Sequence, residues 1–308
     1  MDEVTEMNEI DSTEMHDRND CDEDDEEDEN DITTIPYKIH QIWFQGEENL
    51  PEKYKVFQKT WTDQELFEYE IWDETKIIRL LHDQNSRLWD ETGVHCKKLY
   101  NSYPTMIQKI DFAKYVILYV YGGIYIDMDV FAIRDLSIFM KKNNKNALLV
   151  FPHNVPRTAV TMSKALGLRG NLLINNAVIF TQQGSNEIRT IIESCYTAQR
   201  GWLKNVVVKQ LRCLVTTGPI VFTNSVRSLE NWDEYVKPIE TFEPYTNLEI
   251  HTTAKLLGER YEEIKQVLKT DKALDDTYGI HVFDVNWMEN GKRHWRKRLL
   301  RQLYKRKS

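Results

Sequence analysis

The chain lacks a run of about eighteen apolar residues, the length a membrane-spanning helix needs. Its longest apolar run, Tyr115 to Ile126, is too short and is interrupted by Gly122-Gly123. Acids follow Met1 where a secretory leader would place cations and then an apolar core. Cysteine is scarce: Cys21, Cys96, Cys195 and Cys213 are scattered, with no C-x-x-C and no Cys/His spacing for zinc. They read as free thiols in a reducing compartment rather than a disulfide framework. No internal repeat is visible, and basic residues are not spread through the middle of the chain, so no nucleic-acid partner is expected. These absences predict a soluble or membrane-peripheral protein, cytoplasmic rather than luminal.

What is present is polarised. Net charge is −9 over 308 residues, but Met1 to Asp31 hold seventeen acidic side chains against Arg18 alone. Such a segment buries too little apolar surface to offset its ordering entropy, so residues 1–34 read as a disordered acidic tail. It has none of the spacing of an EF-hand loop. At the other end, Gly291 to Ser308 carry nine Lys and Arg and no acid. Trp295, Leu299, Leu300, Leu303 and Tyr304 recur there at helical spacing. The 291–308 tail therefore reads either as a basic amphipathic helix for an anionic membrane or acidic partner, or as a last helix packed on the core. Residues 35–290 read as one domain with insertions.

Within that domain, Tyr37 to Phe44 alternates as a first strand. A helix follows Leu50-Pro51, Phe67 to Trp72 is a second strand, and Asp73 to His82 a second helix. This β-α-β-α opening predicts an α/β domain with a largely parallel sheet. Ala147 to Phe151 and Tyr278 to Trp287 are further strands, Glu187 to Gln199 and Val206 to Val215 further helices, and Leu256 to Thr270 is charged and peripheral. Trp43, at the end of the first strand, suits either a platform for a planar base or a core position. Asn175-Asn176 supply amides for sugar hydroxyls, or an Asn-rich turn. His281 sits within a strand-like run, where a lone histidine is usually structural.

The centre of the chain is Tyr119 to Val130, YVYGGIYIDMDV. If the strand through Ile124, Tyr125 and Ile126 persists, Asp127 and Asp129 point the same way. Two adjacent carboxylates repel, so a cation belongs between or before them: a hard divalent ion completed by phosphate oxygens, or a lysine or arginine. Gly122-Gly123 serve a hairpin turn or a close backbone approach. The helix before them, Pro104 to Tyr119, places Asp111 and Lys114 three residues apart, as a surface pair or aimed into a cleft.

The blocks IPYKIHQIWF, DFAKYVILYVYGGIYIDMDV, NNAVIF, TGP and HVFDVNW resemble the DXD-containing sugar-binding glycosyltransferases related to yeast initiating α-1,6-mannosyltransferase and the inositol phosphoceramide mannosyltransferases. They are distantly similar to the glucosylating domains of clostridial toxins. The resemblance implies a GT-A-type, Rossmann-like nucleotide-sugar-binding domain with a mixed central sheet and helical insertions. It implies Mn²⁺ or Mg²⁺ as cofactor, a nucleotide-sugar donor, a hydroxyl acceptor and transfer with retention. Trp43 would lie at the nucleotide base, Asp111 at donor sugar hydroxyls and Asn176 near the donor sugar. Lys114 stands where relatives carry arginine against donor oxygens. Asp127 and Asp129 are the candidate catalytic pair. Asp127 would contact donor and the metal's water shell, Asp129 would ligate the metal, and His281 would lie beside it. Ile280 replaces the second histidine of many relatives, and Trp287 is given no chemical role.

Two other readings compete. A glycoside hydrolase needs two carboxyls on opposite sides of a bond, whereas Asp127 and Asp129 aim at one place. A non-catalytic nucleotide-sugar-binding or interaction protein on the same fold would share every motif.

Overall fold

The computed structural model describes residues 34–201, 209–246 and 274–283. The acidic run 1–33, Leu256 to Thr270, Trp287 and the 291–308 tail lie outside these residues.

The chain opens with β1 (Lys38–Ile42), α1 (Glu52–Thr62), β2 (Glu68–Trp72) and α2 (Glu74–Asp83). Each expected element is present. Asp73 caps α2 by accepting from the Lys76 amide at 2.7 Å, which satisfies one of the orphan donors at a helix start. Two short helices, α3 (Asn85–Thr92) and α4 (Cys96–Ser102), then lead to α5 (Met106–Tyr121). α5 is buried along one continuous stretch from Asp111 to Val120, as a helix apolar on nearly all sides must be.

α5 ends at Gly122, whose φ of 63° and that of Gly123, 91°, lie where only glycine is unstrained. A Cβ on Gly122 would fall 2.6 Å from the Gln183 amide nitrogen, and one on Gly123 2.5 Å from the Lys38 carbonyl. The pair is a helix-to-strand turn pressed against neighbouring backbone, not a hairpin. It delivers the chain into β3 (Gly123–Ile126), followed by β4 (Val130–Ala132) and α6 (Ser137–Asn143). Then come β5 (Leu148–Pro152), α7 (Arg157–Ala165), β6 (Ile174–Thr181), α8 (Asn186–Arg200), α9 (Lys209–Thr216), α10 (Pro219–Val226) and finally β7 (Gly279–His281).

The central sheet has the order β2-β1-β3-β6-β5. β1 pairs parallel with β2 and β3, while β6 runs antiparallel to both β3 and β5. The sheet is thus mixed, not largely parallel as the opening alone suggests. The β-α-β-α pattern governs only its first strands. Both faces are covered, and the strands alternate between two cores as the pleat requires. Tyr125, Leu148, Val150 and Ile179 face the core built on α5, α8 and α10. Ile124, Ile126, Leu149, Phe151, Val178 and Phe180 face the other, with Trp61 and Phe242. β4 and β7 form a separate antiparallel ribbon. Trp61 of α1 is fully buried and donates to the Val130 carbonyl at 2.8 Å, tying that ribbon to the domain.

Cys96, Cys195 and Cys213 are buried free thiols, as expected. Among the described residues, no helix is long and apolar enough to cross a membrane.

Candidate functional site

The candidate residues gather outside the carboxyl ends of β1 and β3, where open α/β sheets bind ligands. β3 stops at Ile126. Asp127, Met128 and Asp129 form a turn closed by the Val130 amide on the Asp127 carbonyl at 3.1 Å, because the backbone is leaving the central sheet for the β4–β7 ribbon. The strand does not persist through Asp-x-Asp, so strand alternation does not set the directions of the two carboxylates. Each has its own cationic neighbour instead.

Asp127 meets Lys114. The Lys114 ammonium lies 3.4 Å from Asp127 Oδ1 and 3.1 Å from Asp111 Oδ1, and it donates to the Asn176 carbonyl at 3.1 Å. The Tyr125 ring lies beneath it at 4.7 Å. With three acceptors and 1% exposure, Lys114 is a buried counter-ion, not a surface i,i+3 partner. Burial opposes its charge, but Asp127 and then Asp111 outweigh that and hold its pKa above the usual lysine value. Asp111 accepts from Asn176 Nδ2 at 3.1 Å and Thr217 Oγ1 at 3.4 Å. Burial pushes the Asp111 carboxyl up to about 6 against the pull of Lys114. Asn176 also donates to the Tyr115 hydroxyl at 3.0 Å. Asn175 and Asn176 belong to β6, fully inside the strand, rather than to an Asn-rich turn. Asp127 has 30% of its side chain exposed against 2% for Lys114, so Asp127 is the member of this cluster open to a ligand.

Asp129 meets His281, which pairs opposite Val130 in the ribbon; His281 Nε2 lies 3.3 Å from Asp129 Oδ2. On its other side, His281 Nδ1 lies 3.0 Å from Glu243 Oε1. Burial would lower the His281 pKa, but the Asp129 and Glu243 carboxylates override it and push it up to about 10. Burial would likewise raise Glu243, but His153 and then His281 bring it down to about 2. Sequence reading missed Glu243 and His153. Neither sits in a motif, and Glu243 lies 38 residues from His281 in the chain.

Trp43 is half-buried against Tyr54, ring centroids 5.2 Å apart, at the edge of a third apolar cluster. The ring is thus packed on one side, and its indole Nε1 is a buried donor without a hydrogen-bond partner among the described residues.

Among the described residues, no three His, Cys, Asp or Glu side chains are already drawn together as a metal site. The chemistry of Asp127, Asp129 and His281 nonetheless suits a hard divalent ion: two carboxylates flanking a single residue, and an imidazole already in contact with one of them. A ligating imidazole must be neutral, so an ion there would take the place of the Nε2 proton.

A family profile described as a glycosyltransferase sugar-binding region containing the DXD motif matches residues 51–148, which include Asp111, Lys114, Asp127 and Asp129. Residues 51–148 are therefore similar to a DXD glycosyltransferase sugar-binding region. Over 107 residues it is 36% identical to an uncharacterized glycosyltransferase of Acanthamoeba polyphaga mimivirus, covering 34% of this chain and 40% of that protein. Over 126 residues it is 30% identical to inositol phosphoceramide mannosyltransferase 1 of Schizosaccharomyces pombe, covering 40% of this chain and 35% of that protein. Against the initiation-specific α-1,6-mannosyltransferase of Saccharomyces cerevisiae the identity is 28%, over 35% of this chain and 22% of that one. The DXD region and its flanks thus span well under half the length of these curated relatives. Among solved structures, the catalytic domain of α-toxin from Clostridium novyi aligns over 67% of this chain and 74% of that one, at 9% identity and a TM-score of 0.42.

Proposed function

We propose that this protein is a divalent-metal-dependent glycosyltransferase. It moves a hexose from a UDP- or GDP-sugar to a hydroxyl acceptor on a glycan or lipid, with retention at the anomeric carbon. The observation that carries the reading is the placement of Asp127 and Asp129 at the carboxyl end of β3, beside the buried Asp111–Lys114–Asn176 cluster, inside a DXD sugar-binding region.

Asp127, Asp129 and His281 would hold Mn²⁺ or Mg²⁺, which supplies Lewis-acid stabilisation of charge growing on the leaving diphosphate. The protein's own groups do the rest. The Trp43 ring and its unpartnered Nε1 offer a base a stacking surface and one donor. Asp111 and Asn176 present a polar wall to donor sugar hydroxyls. Lys114 lies 3.1 Å from Asp111 and 3.4 Å from Asp127 and so supplies the buried positive charge that faces both carboxylates. The acceptor oxygen forms its bond to the anomeric carbon on the face that the diphosphate leaves. The bond from that carbon to phosphate oxygen breaks, and the acceptor proton passes to the departing phosphate. No enzyme nucleophile is needed for that path.

The test is a panel of common UDP- and GDP-sugars with purified protein and Mn²⁺, scored for release of UDP or GDP, with Asp129→Ala as control. Release from one donor, lost in the variant and on chelation, is the expected result. Mn²⁺-dependent binding with no release, even when candidate acceptors are added, would instead mark a non-catalytic binding module. Absence of donor binding would overturn the reading.

A further inference from the structure

Glu243 follows a short 3₁₀ turn, Ile239–Thr241, and is 1% exposed. Its carboxylate accepts from three separate segments. Oε2 takes the Asn154 amide at 2.6 Å and His153 Nδ1 at 2.9 Å, beyond the end of β5. Oε1 lies 3.0 Å from His281 Nδ1 of β7 and accepts the Asn175 side-chain amide of β6, whose nitrogen also lies 3.0 Å from His281 Nδ1. The orientation of Asn175 is fixed, because its Oδ1 already accepts the Ala177 amide at 2.9 Å. The Glu243 carbonyl completes the set by accepting from Asn154 Nδ2 at 2.9 Å.

A buried carboxylate contributes little to stability over a well-packed apolar residue of similar size, since desolvation offsets what its partners return. Its value lies in direction. An imidazole that donates from Nδ1 to a fixed carboxylate has its ring orientation and its other nitrogen set. Here the other nitrogen is the one facing Asp129. His153 meets the same carboxylate from the opposite side, with its ring centroid 6.4 Å from that of His281, so the clamp is anchored at both ends.

We propose that Glu243 is a positioning residue of the candidate site: it holds the His281 Nδ1–H and thereby presents Nε2 to Asp129 and to the cation that Asp129 binds. The second half of this proposal rests on the metal-dependent reading above; the first half stands on the Glu243 carboxylate facing Nδ1 at 3.0 Å, with the Asn175 amide that also meets Nδ1 donating to that carboxylate. Glu243 touches neither donor nor ion. It acts through His281.

Two measurements on the full-length protein separate these halves. In metal-free protein, ¹⁵N shifts of the histidine rings, with His281 assigned through His281→Gln, should show a proton on Nδ1. In Glu243→Gln, the carboxylate acceptor is lost, and Nδ1 should move toward the shift of an acceptor receiving the Asn175 amide. Mn²⁺ uptake without donor, read by electron paramagnetic resonance, should weaken on the order of 10- to 100-fold in Glu243→Gln. Glu243→Asp, which keeps the charge, should recover part of that loss. Unchanged His281 shifts and unchanged Mn²⁺ affinity in Glu243→Gln would overturn the proposal and leave Glu243 a clamp between segments. If wild-type protein takes up no Mn²⁺, the metal reading fails, while the nitrogen shifts still decide what Glu243 does to His281. Should Glu243→Gln not fold, the wild-type shifts suffice: an unprotonated Nδ1 sinks the proposal and a protonated one supports it.

Discussion

The Tyr125 hydroxyl donates to Asp127 Oδ1 at 2.6 Å, and that same oxygen faces Lys114 at 3.4 Å. The last strand residues before the DXD turn therefore aim the first DXD carboxylate. Tyr125 also places its ring under the Lys114 ammonium. Its hydroxyl and its ring act on opposite charges of one pair.

Tyr125→Phe keeps the ring and removes the hydroxyl. A hydrogen bond to a charged group is worth about 1.5–3 kcal/mol, and Tyr125 is 1% exposed, so the variant should lose about 2 kcal/mol. Urea unfolding should show a lower midpoint at an unchanged slope. A variant as stable as wild type would mean that Asp127 is held by Lys114 alone.

Lys114→Met tests the buried counter-ion. Removing one partner of a buried ion pair costs about 3–5 kcal/mol, because the stranded charge costs more than the pair was worth. Adding Asp111→Asn to Lys114→Met should restore part of that loss, since one of the two stranded carboxylates is then gone. The double-mutant cycle gives the coupling directly. Strict additivity of the two substitutions would show that the 3.1 Å contact between them carries no net energy.

Stability should fall in mild acid through His40. This ring is fully buried on β1. Trp72 Nε1 donates to its Nδ1 at 3.2 Å, so Nδ1 must be an acceptor, and the proton on Nε2 goes to the Gly122 carbonyl at 3.1 Å. Burial lowers the His40 pKa to about 4, the Gly122 bond opposing it. Between that value and the unfolded value near 6.5, the unfolded chain binds the extra proton and the folded chain does not. The His40 contribution is therefore intact above about pH 6.5 and is lost as pH falls toward 4, a swing of roughly 3 kcal/mol. His40→Gln can keep both hydrogen bonds without titrating. Its stability should be flatter than wild type across that window, and parallel curves would rule His40 out as the source.

The part of the site written into local sequence was legible, and the part made by distant chain was not. Asp111 and Lys114 are one helical step apart, so their shared direction follows from spacing alone. Gly122-Gly123 marked a backbone constraint correctly, but whether it served a hairpin or a close approach depended on Gln183 and Lys38, which only the fold brings near. The Asp-x-Asp pair directly follows β3, but the strand on which its shared direction was conditional ends before it. Strand periodicity carries no notice of where a chain changes sheets, and this one does so after Ile126. Glu243 was invisible for a deeper reason. A charged residue buried at 1% exposure looks, in sequence, like any solvated glutamate until its donors from β5, β6 and β7 are in place.

The β4–β7 ribbon has a consequence for the order in which the candidate site is assembled. Every strand of the central sheet lies between Lys38 and Thr181, so its ladder can close once that length has emerged from a ribosome. His281 comes a hundred residues later, on a three-residue strand that pairs with β4. The Asp129–His281 contact thus joins segments made far apart in time, and it cannot form before the C-terminal strand has been synthesised.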